Sequence, residues 1–567
     1  MTSFDLLGCS KGERQHAFCA LGLLVSGLFL IFIHPQIRHF EIVFSRHTFL
    51  TPLSVLLLGI LISVSGGAYF IFRRPVAARH SFFDTSPWIS AALIFTCAVF
   101  LLMWVNLDVL HKFMNSGDEH ACYFLAQCLL KGRLSVELPP MAEFFQVTHV
   151  GMRDGKWFSV YPPGWPLLWA GGLLLGVGDA VNPVLAAAAL CLFYLAGRQV
   201  FGGTSAWVSS LLIVTSPFFL FTGASYFSHS ASLFMTAIFF YAFVRFERCR
   251  IEGARRALLW SLVAGFALGY GLLTRYLTTA ALALPFLAGS FFQVLKERRV
   301  TRESTAGLFV VLFFAGLVLV HNFAVTGQWL TAPNTFDKPW ERLGFKHDYL
   351  PWDGAWFFLA RLFYLMDWTA PAIVFLYAAV LFWARSLDFL QRACSMAFLC
   401  LAAAYFFYFS WGGNQWGPRY YYEAYPFLVF TAVHGTVCFF DRYPRWRGAL
   451  VALLLSGILV HLFQLHHHAV YTSEATKQRK ALYALADQQL SEPSVVFVRG
   501  YLGDKLVLAQ EDAVRNSPFL DGKVIYAHDK GEERNRKLAQ QFSGRKFYLG
   551  TYVRSEQKAN LLELNLK

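Results

Sequence analysis

The sequence predicts an all-α polytopic membrane domain of about thirteen transmembrane helices, followed by a small C-terminal soluble α/β domain. Composition points there first: of 567 residues 56% are hydrophobic and only 15% charged, so far more apolar surface is present than a soluble core could bury. Apolar runs long enough to span roughly 30 Å of hydrocarbon recur through the chain. A change of character near residue 470, to mixed charges and short β-like runs, marks the second unit.

The runs lie near 17–34, 49–72, 87–107, 182–200, 204–221, 229–244, 257–273, 277–295, 305–325, 362–383, 394–410, 423–440 and 449–467. The stretch 162–178 (PPGWPLLWAGGLLLGVG) is apolar but short, opened by prolines and rich in glycine. Charge parity places it in the membrane interface. With that segment not crossing, the clusters Lys11/Arg14, Arg73/Arg74/Arg79, Arg198, Arg245–Arg256, Lys296–Arg302, Arg385/Arg392 and Arg442–Arg447 all fall on one side, which is then cytoplasmic. The expected protein is a multi-pass protein of the plasma (inner) membrane with a cytoplasmic N-terminus. Its loops 108–181, 222–228, 326–361 and 411–422, and its tail, face outward. Residues 1–469 form the transmembrane domain and 470–567 the extracytoplasmic α/β domain, built on SVVFVRG, KVIYAHD and KFYLGTYV with a polar helix EERNRKLAQQF.

The formal charge of +14 resides in short clusters between apolar runs, as in cytoplasmic membrane loops, which argues against nucleic acid as a partner. The ten cysteines show no CxxC or Cys/His spacing, so neither a disulfide framework nor a metal site is predicted. The first apolar run lacks a small-x-small cleavage pattern and reads as a retained helix.

Candidate chemistry gathers in the outer loops. Asn115-Ser116-Gly117-Asp118-Glu119-His120 puts two carboxylates at a helix start, where they serve as a cap and dipole partner or as general base and support. Val160-Tyr161-Pro162-Pro163-Gly164-Trp165-Pro166 fits an aromatic anchor at headgroup level or, through Tyr161, a substrate-lining wall. Arg275, in GLLTRYLTT, either snorkels to headgroups or binds a lipid phosphate. Trp411–Glu423 combines glycines, Asn414, Arg419 and Tyr420 in one short loop, beyond what an aromatic belt requires. His229 opens a span as a polar helix end or a site residue, and the mixed charges of 326–361 read as a solvated surface.

Taken in order, Asp118-Glu119, YPPGWPLL, NPVLAAAALCLFYLAGRQVFG, LTRY and GPRY resemble the GT-C class of membrane glycosyltransferases, in particular its protein mannosyltransferase and lipid A aminoarabinose transferase branch, over most of 110–440. The chain departs from that pattern by having two spans before the one that precedes the acidic pair, where the family commonly has one in all. The resemblance implies a polyprenyl-phosphate-linked sugar as donor and a glycan, lipid or protein hydroxyl as acceptor, within membrane lipid. It implies Asp118 as base with Glu119 in support, and Arg275 and Arg419 on the donor phosphate. Tyr161, His229, Asn414 and Tyr420 are the expected lining. Single displacement would invert the anomeric centre. No cofactor is required by this chemistry, and a divalent cation could assist although no ligand cluster demands one.

Two other readings use the same residues. A lipid-linked saccharide transporter or flippase would place ionisable groups at the bilayer midplane, where only His434 and His461 approach it. An oligosaccharide ligase or polymerase would share the outer site but take a diphosphate-linked donor.

Overall fold

A computed structural model describes residues 86–253, 255–298, 301–346, 348–382, 386–412, 415–499, 512–553 and 558–566, with 20–28 and a few isolated positions earlier in the chain. The runs expected at 17–34 and 49–72 therefore lie largely outside the described residues. The helices are α1 Pro87–Trp104, α2 Gly117–Leu130, α3 Gly164–Leu174, α4 Val181–Phe201, α5 Gly203–Thr215, α6 Pro217–Ala224, α7 His229–Ile251, α8 Ala257–Glu297 and α9 Arg302–Thr326. After a 326–350 connection follow α10 Pro351–Met366, α11 Ala372–Phe382, α12 Phe389–Phe406, α13 Tyr425–Arg442 and α14 Arg447–Gln489.

Seven helices among the described residues are long and apolar enough to cross a membrane, or eight if α5 and α6, bent by 62° at Ser216, form one span. The chain is a multi-pass membrane protein, and the expected count of thirteen is not reproduced among the described residues, which leave out much of two of the expected runs. Within α8 the expected runs 257–273 and 277–295 are separate helical stretches, parted at Arg275 (φ −150°, ψ 83°). A Cβ on Gly271 would meet the Thr279 side chain at 2.8 Å, whereas eight residues of straight helix rise about 12 Å, so the chain turns sharply there. The run 362–383 is likewise divided between α10 and α11.

The segment 162–178 forms one short helix. Helix α3 has eleven residues, about 16 Å of rise and half a bilayer core, and it ends at Leu174 before a glycine with positive φ (Gly176, 70°). Helix α7 starts at His229 beside the cavity described below and ends in Arg248 and Arg250, so cavity and basic cluster occupy opposite ends of the bundle.

Between α2 and α3 a small antiparallel sheet forms from β1 Val136–Glu137, β2 Val150–Arg153 and β3 Lys156–Ser159, in the order β1-β3-β2. The tail contributes β4 Ser494–Arg499, β5 Val524–His528, the helix α15 Glu532–Ala539, β6 Lys546–Val553 and β7 Lys558–Leu564. Their order is β5-β4-β6-β7, with β4 parallel to both neighbours and β7 antiparallel to β6. Helix α14 runs unbroken through 469/470, carrying its polar half out to this sheet. One apolar core joins loop and tail: Phe124, Phe144, Phe145 and Trp157 are buried with Val495, Phe497 and Phe547. The tail sheet is thus docked on the loop that bears the acidic pair.

Candidate active site

Helix α2 is opened by a reciprocal capping box: Ser116 Oγ accepts from Glu119 N at 3.4 Å, and Glu119 Oε2 accepts from Ser116 N at 3.1 Å. Glu119 Oε2 also accepts from Asn115 N at 2.5 Å, and its Oε1 from Tyr226 N at 2.8 Å. The carboxylate is therefore fully engaged by backbone amides, is buried, and stands beside the cavity rather than in its wall. Burial pushes its carboxyl up to about 6 despite those hydrogen bonds.

Asp118, one residue earlier, points the other way, into a cavity of about 520 Å³. The same cavity is lined by Tyr161, His229, Arg275, Arg419 and Tyr420, so six of the eight site residues expected from sequence share one wall system. Glu119 does not line it, and Asn414 lies outside the described residues. Tyr161 donates its hydroxyl to Asp118 Oδ1, His149 Nε2 stands 3.7 Å from Oδ1, and Arg419 Nη2 stands 3.6 Å from Oδ2. Burial raises the Asp118 carboxyl, but His149, Arg419 and the Tyr161 hydroxyl outweigh it and hold the group well below the usual carboxylate range. Tyr161 shifts the opposite way, upward, from burial and the neighbouring anion.

On the facing wall, the break in α8 presents Arg275 to the cavity; its side chain is 15% exposed. Its Nη2 donates to Tyr405 Oη at 2.9 Å, its Nη1 to Ser228 Oγ at 3.3 Å, and its Nε lies 3.2 Å from Glu423 Oε1. Glu423 is wholly buried and also meets His229 Nδ1 at 3.2 Å. Arg419 stacks on Phe227, with Cζ 4.0 Å from the ring centroid, and its Nε has no hydrogen-bond partner. Two guanidinium groups, each with donor capacity left over, thus face one space with an ionised carboxylate.

The motifs that looked like surface anchors hold this arrangement from within. Trp165 is fully buried, donates Nε1 to Tyr226 O at 2.9 Å and stacks in the order Trp165, Trp169, Tyr226. Tyr226 in turn carries the amide that binds Glu119, so the YPPGWP segment packs within the protein. Gly164 is required by close approach: a Cβ there would strike Thr274 Oγ1 at 2.4 Å, next to Arg275. Gly412 (φ 65°) leaves room for the Tyr420 ring, which stacks on Tyr405 at 4.3 Å. Gln415 ties this loop to the acidic one by donating to Asn115 O at 2.7 Å.

Glu423, His149 and Arg361 were missed as site residues. Glu423 closes the GPRYYYE run, and a carboxylate at a span end could have been read as a partner for Arg275. His149 gave no sequence signal. Arg361, fully buried, donates to Trp411 O, Tyr405 O and Ser410 O at 3.0, 3.0 and 2.7 Å and so shapes the loop beneath Tyr420. The 326–350 segment is less solvated than its charges suggest, since Glu341 lines the cavity. No group of three or more His, Cys, Asp or Glu able to hold a metal ion occurs among the described residues.

No family model and no curated protein matches the sequence. The fold is similar to that of ArnT from Cupriavidus metallidurans bound to undecaprenyl phosphate, with TM-score 0.51 and 12% identity over 83% of this chain and 97% of that one. It is similar to the apo state of the same protein, with TM-score 0.52 and 13% identity over 84% and 98%. An oligosaccharyltransferase from Archaeoglobus fulgidus gives TM-score 0.48 and 14% identity over 82% and 67%. At such identities the ArnT likeness establishes shared architecture: the chain has the GT-C fold that its sequence motifs resemble.

Proposed function

We propose that this protein transfers a sugar from a polyprenyl-phosphate donor to a hydroxyl acceptor on the extracytoplasmic face of the plasma membrane, by single displacement with inversion. The observation that carries the reading is the placement of Asp118, Arg275 and Arg419 around one cavity, at the end of the bundle opposite Arg248 and Arg250. The positive-inside rule assigns that basic end to the cytoplasm. An ArnT structure holding undecaprenyl phosphate in the same fold supports the donor class.

Chemistry follows from the charges. A hydroxyl attacks the anomeric carbon poorly unless its proton is drawn away, and the departing phosphate needs positive charge before it leaves. Arg275 lines the cavity and is held in place by Tyr405, Ser228 and Glu423, so it binds phosphate without first being ordered. Arg419 is shared between Asp118 and the cavity. When donor phosphate competes for Arg419, Asp118 loses part of the field that suppresses its basicity, so donor binding primes the acceptor side. The acceptor is a glycan, lipid or protein hydroxyl entering past Asp118. None of these steps needs a metal, and Asp118 is already taken up by Tyr161, His149 and Arg419.

The test is binding of undecaprenyl phosphate to the purified protein in nanodiscs. Arg275→Gln and Arg419→Gln should each weaken it at least tenfold, since a charge-assisted contact contributes about 1.5–3 kcal/mol. Equal affinity in the parent and both variants would remove the phosphate-site reading.

A further inference from the structure

We propose that His149 is the terminal proton acceptor of the transfer reaction, with Asp118 stabilising the imidazolium that forms. The inference rests on the transferase reading above and deepens it.

Three observations carry it. His149 and Asp118 line the same cavity, with side chains 24% and 26% exposed, so both are reachable by an acceptor while most of the surrounding wall is closed. Their facing atoms, Nε2 and Oδ1, are 3.7 Å apart. That is too long for a direct hydrogen bond, but close enough for the carboxylate to stabilise a positive charge formed on the ring. His149 also adopts φ 65°, a conformation few residues other than glycine, asparagine or aspartate enter readily, fixed by Val160 N donating to its carbonyl at 3.1 Å. The strained backbone aims a ring at the cavity that an extended conformation would direct elsewhere, and the ring rests against Tyr161 with centroids 5.7 Å apart.

Asp118 alone is a weak proton acceptor, because its neighbours favour the carboxylate so strongly. An imidazole beside it removes the difficulty. As the acceptor oxygen forms its bond to the anomeric carbon, the bond from that carbon to the phosphate oxygen breaks, and the phosphate leaves with the electron pair. The hydroxyl proton passes to Nε2, giving an imidazolium paired with the Asp118 carboxylate, and it is lost to solvent through the cavity mouth. The groups facing His149 suit that charge. Asp118 comes from α2 and Tyr161 from the loop before α3, while Asp337 and Glu341, on the 326–350 segment, lie within its field. Lys338 acts on both of those carboxylates and Arg153 on Asp337.

Two measurements test this on the full-length protein in nanodiscs. The first uses a panel of undecaprenyl-phosphate-linked hexoses and pentoses, with release of undecaprenyl phosphate to water as the readout. His149→Gly keeps the positive φ without strain and should lower turnover about 10²–10⁴-fold with donor KM unchanged. Added imidazole should restore part of it. Parent-like turnover, or loss without rescue, overturns the proposal.

The second needs no turnover and so separates failure of this inference from failure of the transferase reading. Carbethoxylation of the folded parent without donor, read by peptide mass spectrometry, should label His149, because a proton acceptor must present a reachable ring nitrogen to the cavity. A folded protein in which His149 stays unlabelled overturns the inference, whatever the donor assay shows.

Discussion

Glu423 and Arg275 meet at 3.2 Å across the break in α8, the carboxylate with no solvent exposure and the guanidinium turned to the cavity. The same carboxylate meets His229 at 3.2 Å, so a single buried acid anchors the site from behind. Removing one partner of a buried ion pair costs about 3–5 kcal/mol, because the other charge is left uncompensated. Glu423→Gln is therefore expected to lower the thermal midpoint clearly in detergent. Because Arg275 loses its rear contact, donor affinity should fall as well. Replacing Glu423 and Arg275 together should restore part of the stability but not the affinity.

Asp118 contributes to stability with a sign fixed by its depressed carboxyl. A group whose folded value lies below its unfolded one stabilises above the unfolded value, near pH 3.8, and that contribution is lost as pH falls through the folded value. The difference in thermal midpoint between the parent and Asp118→Asn should accordingly stay constant from neutral pH down to about pH 4.5 and shrink only below it. Midpoint scans across pH 3–8 check this.

Glu119 behaves in the opposite sense. Its carboxyl is raised by burial from 4.5 to about 6, so its contribution is fully present below the unfolded value and lost as pH rises through about 6. The parent should lose on the order of 2 kcal/mol from this group between pH 4.5 and pH 7. Glu119→Ala removes the acceptor for three backbone amides and should be destabilising at every pH, with turnover falling because Asp118 is no longer held at a capped helix start. Stability and turnover measured on one preparation separate the two effects.

Arg361 tests the loop beneath Tyr420. Its guanidinium satisfies three carbonyls in a buried site, so Arg361→Met leaves them unpaired at about 1–3 kcal/mol each, and even Arg361→Lys cannot span all three. Both variants should lower stability and turnover together. A variant with lost turnover and parent stability would instead place Arg361 in the chemistry.

Much of this architecture is legible in the sequence because lipid imposes simple rules. Helix lengths, basic clusters and the short Gly-rich 162–178 segment each report a single physical constraint, and α3 ends where its glycines and length say it should. The span count was harder to read. The run 362–383, divided at 367–371, preserves hydropathy while changing geometry. Among site residues, Asp118, Arg275 and Arg419 stood out as charges in apolar surroundings, and all three line the cavity. Glu119 stood out equally, yet its side chain is consumed by the cap, because adjacent residues on a helix start face different directions. His149 was invisible, since its role depends on a turn conformation and on strands that bring it beside a helix 31 positions earlier in the chain (149 − 118).

The most direct measurement is sugar transfer from undecaprenyl-phosphate-linked donors by the purified protein in lipid, comparing the parent with Asp118→Asn and confirming that both fold and bind undecaprenyl phosphate. The account predicts turnover in the parent and a loss of about 10²–10⁴-fold in the variant with lipid affinity preserved. No transfer from any donor by folded parent protein, accompanied by protein-dependent movement of the lipid-linked sugar across the bilayer, would contradict it.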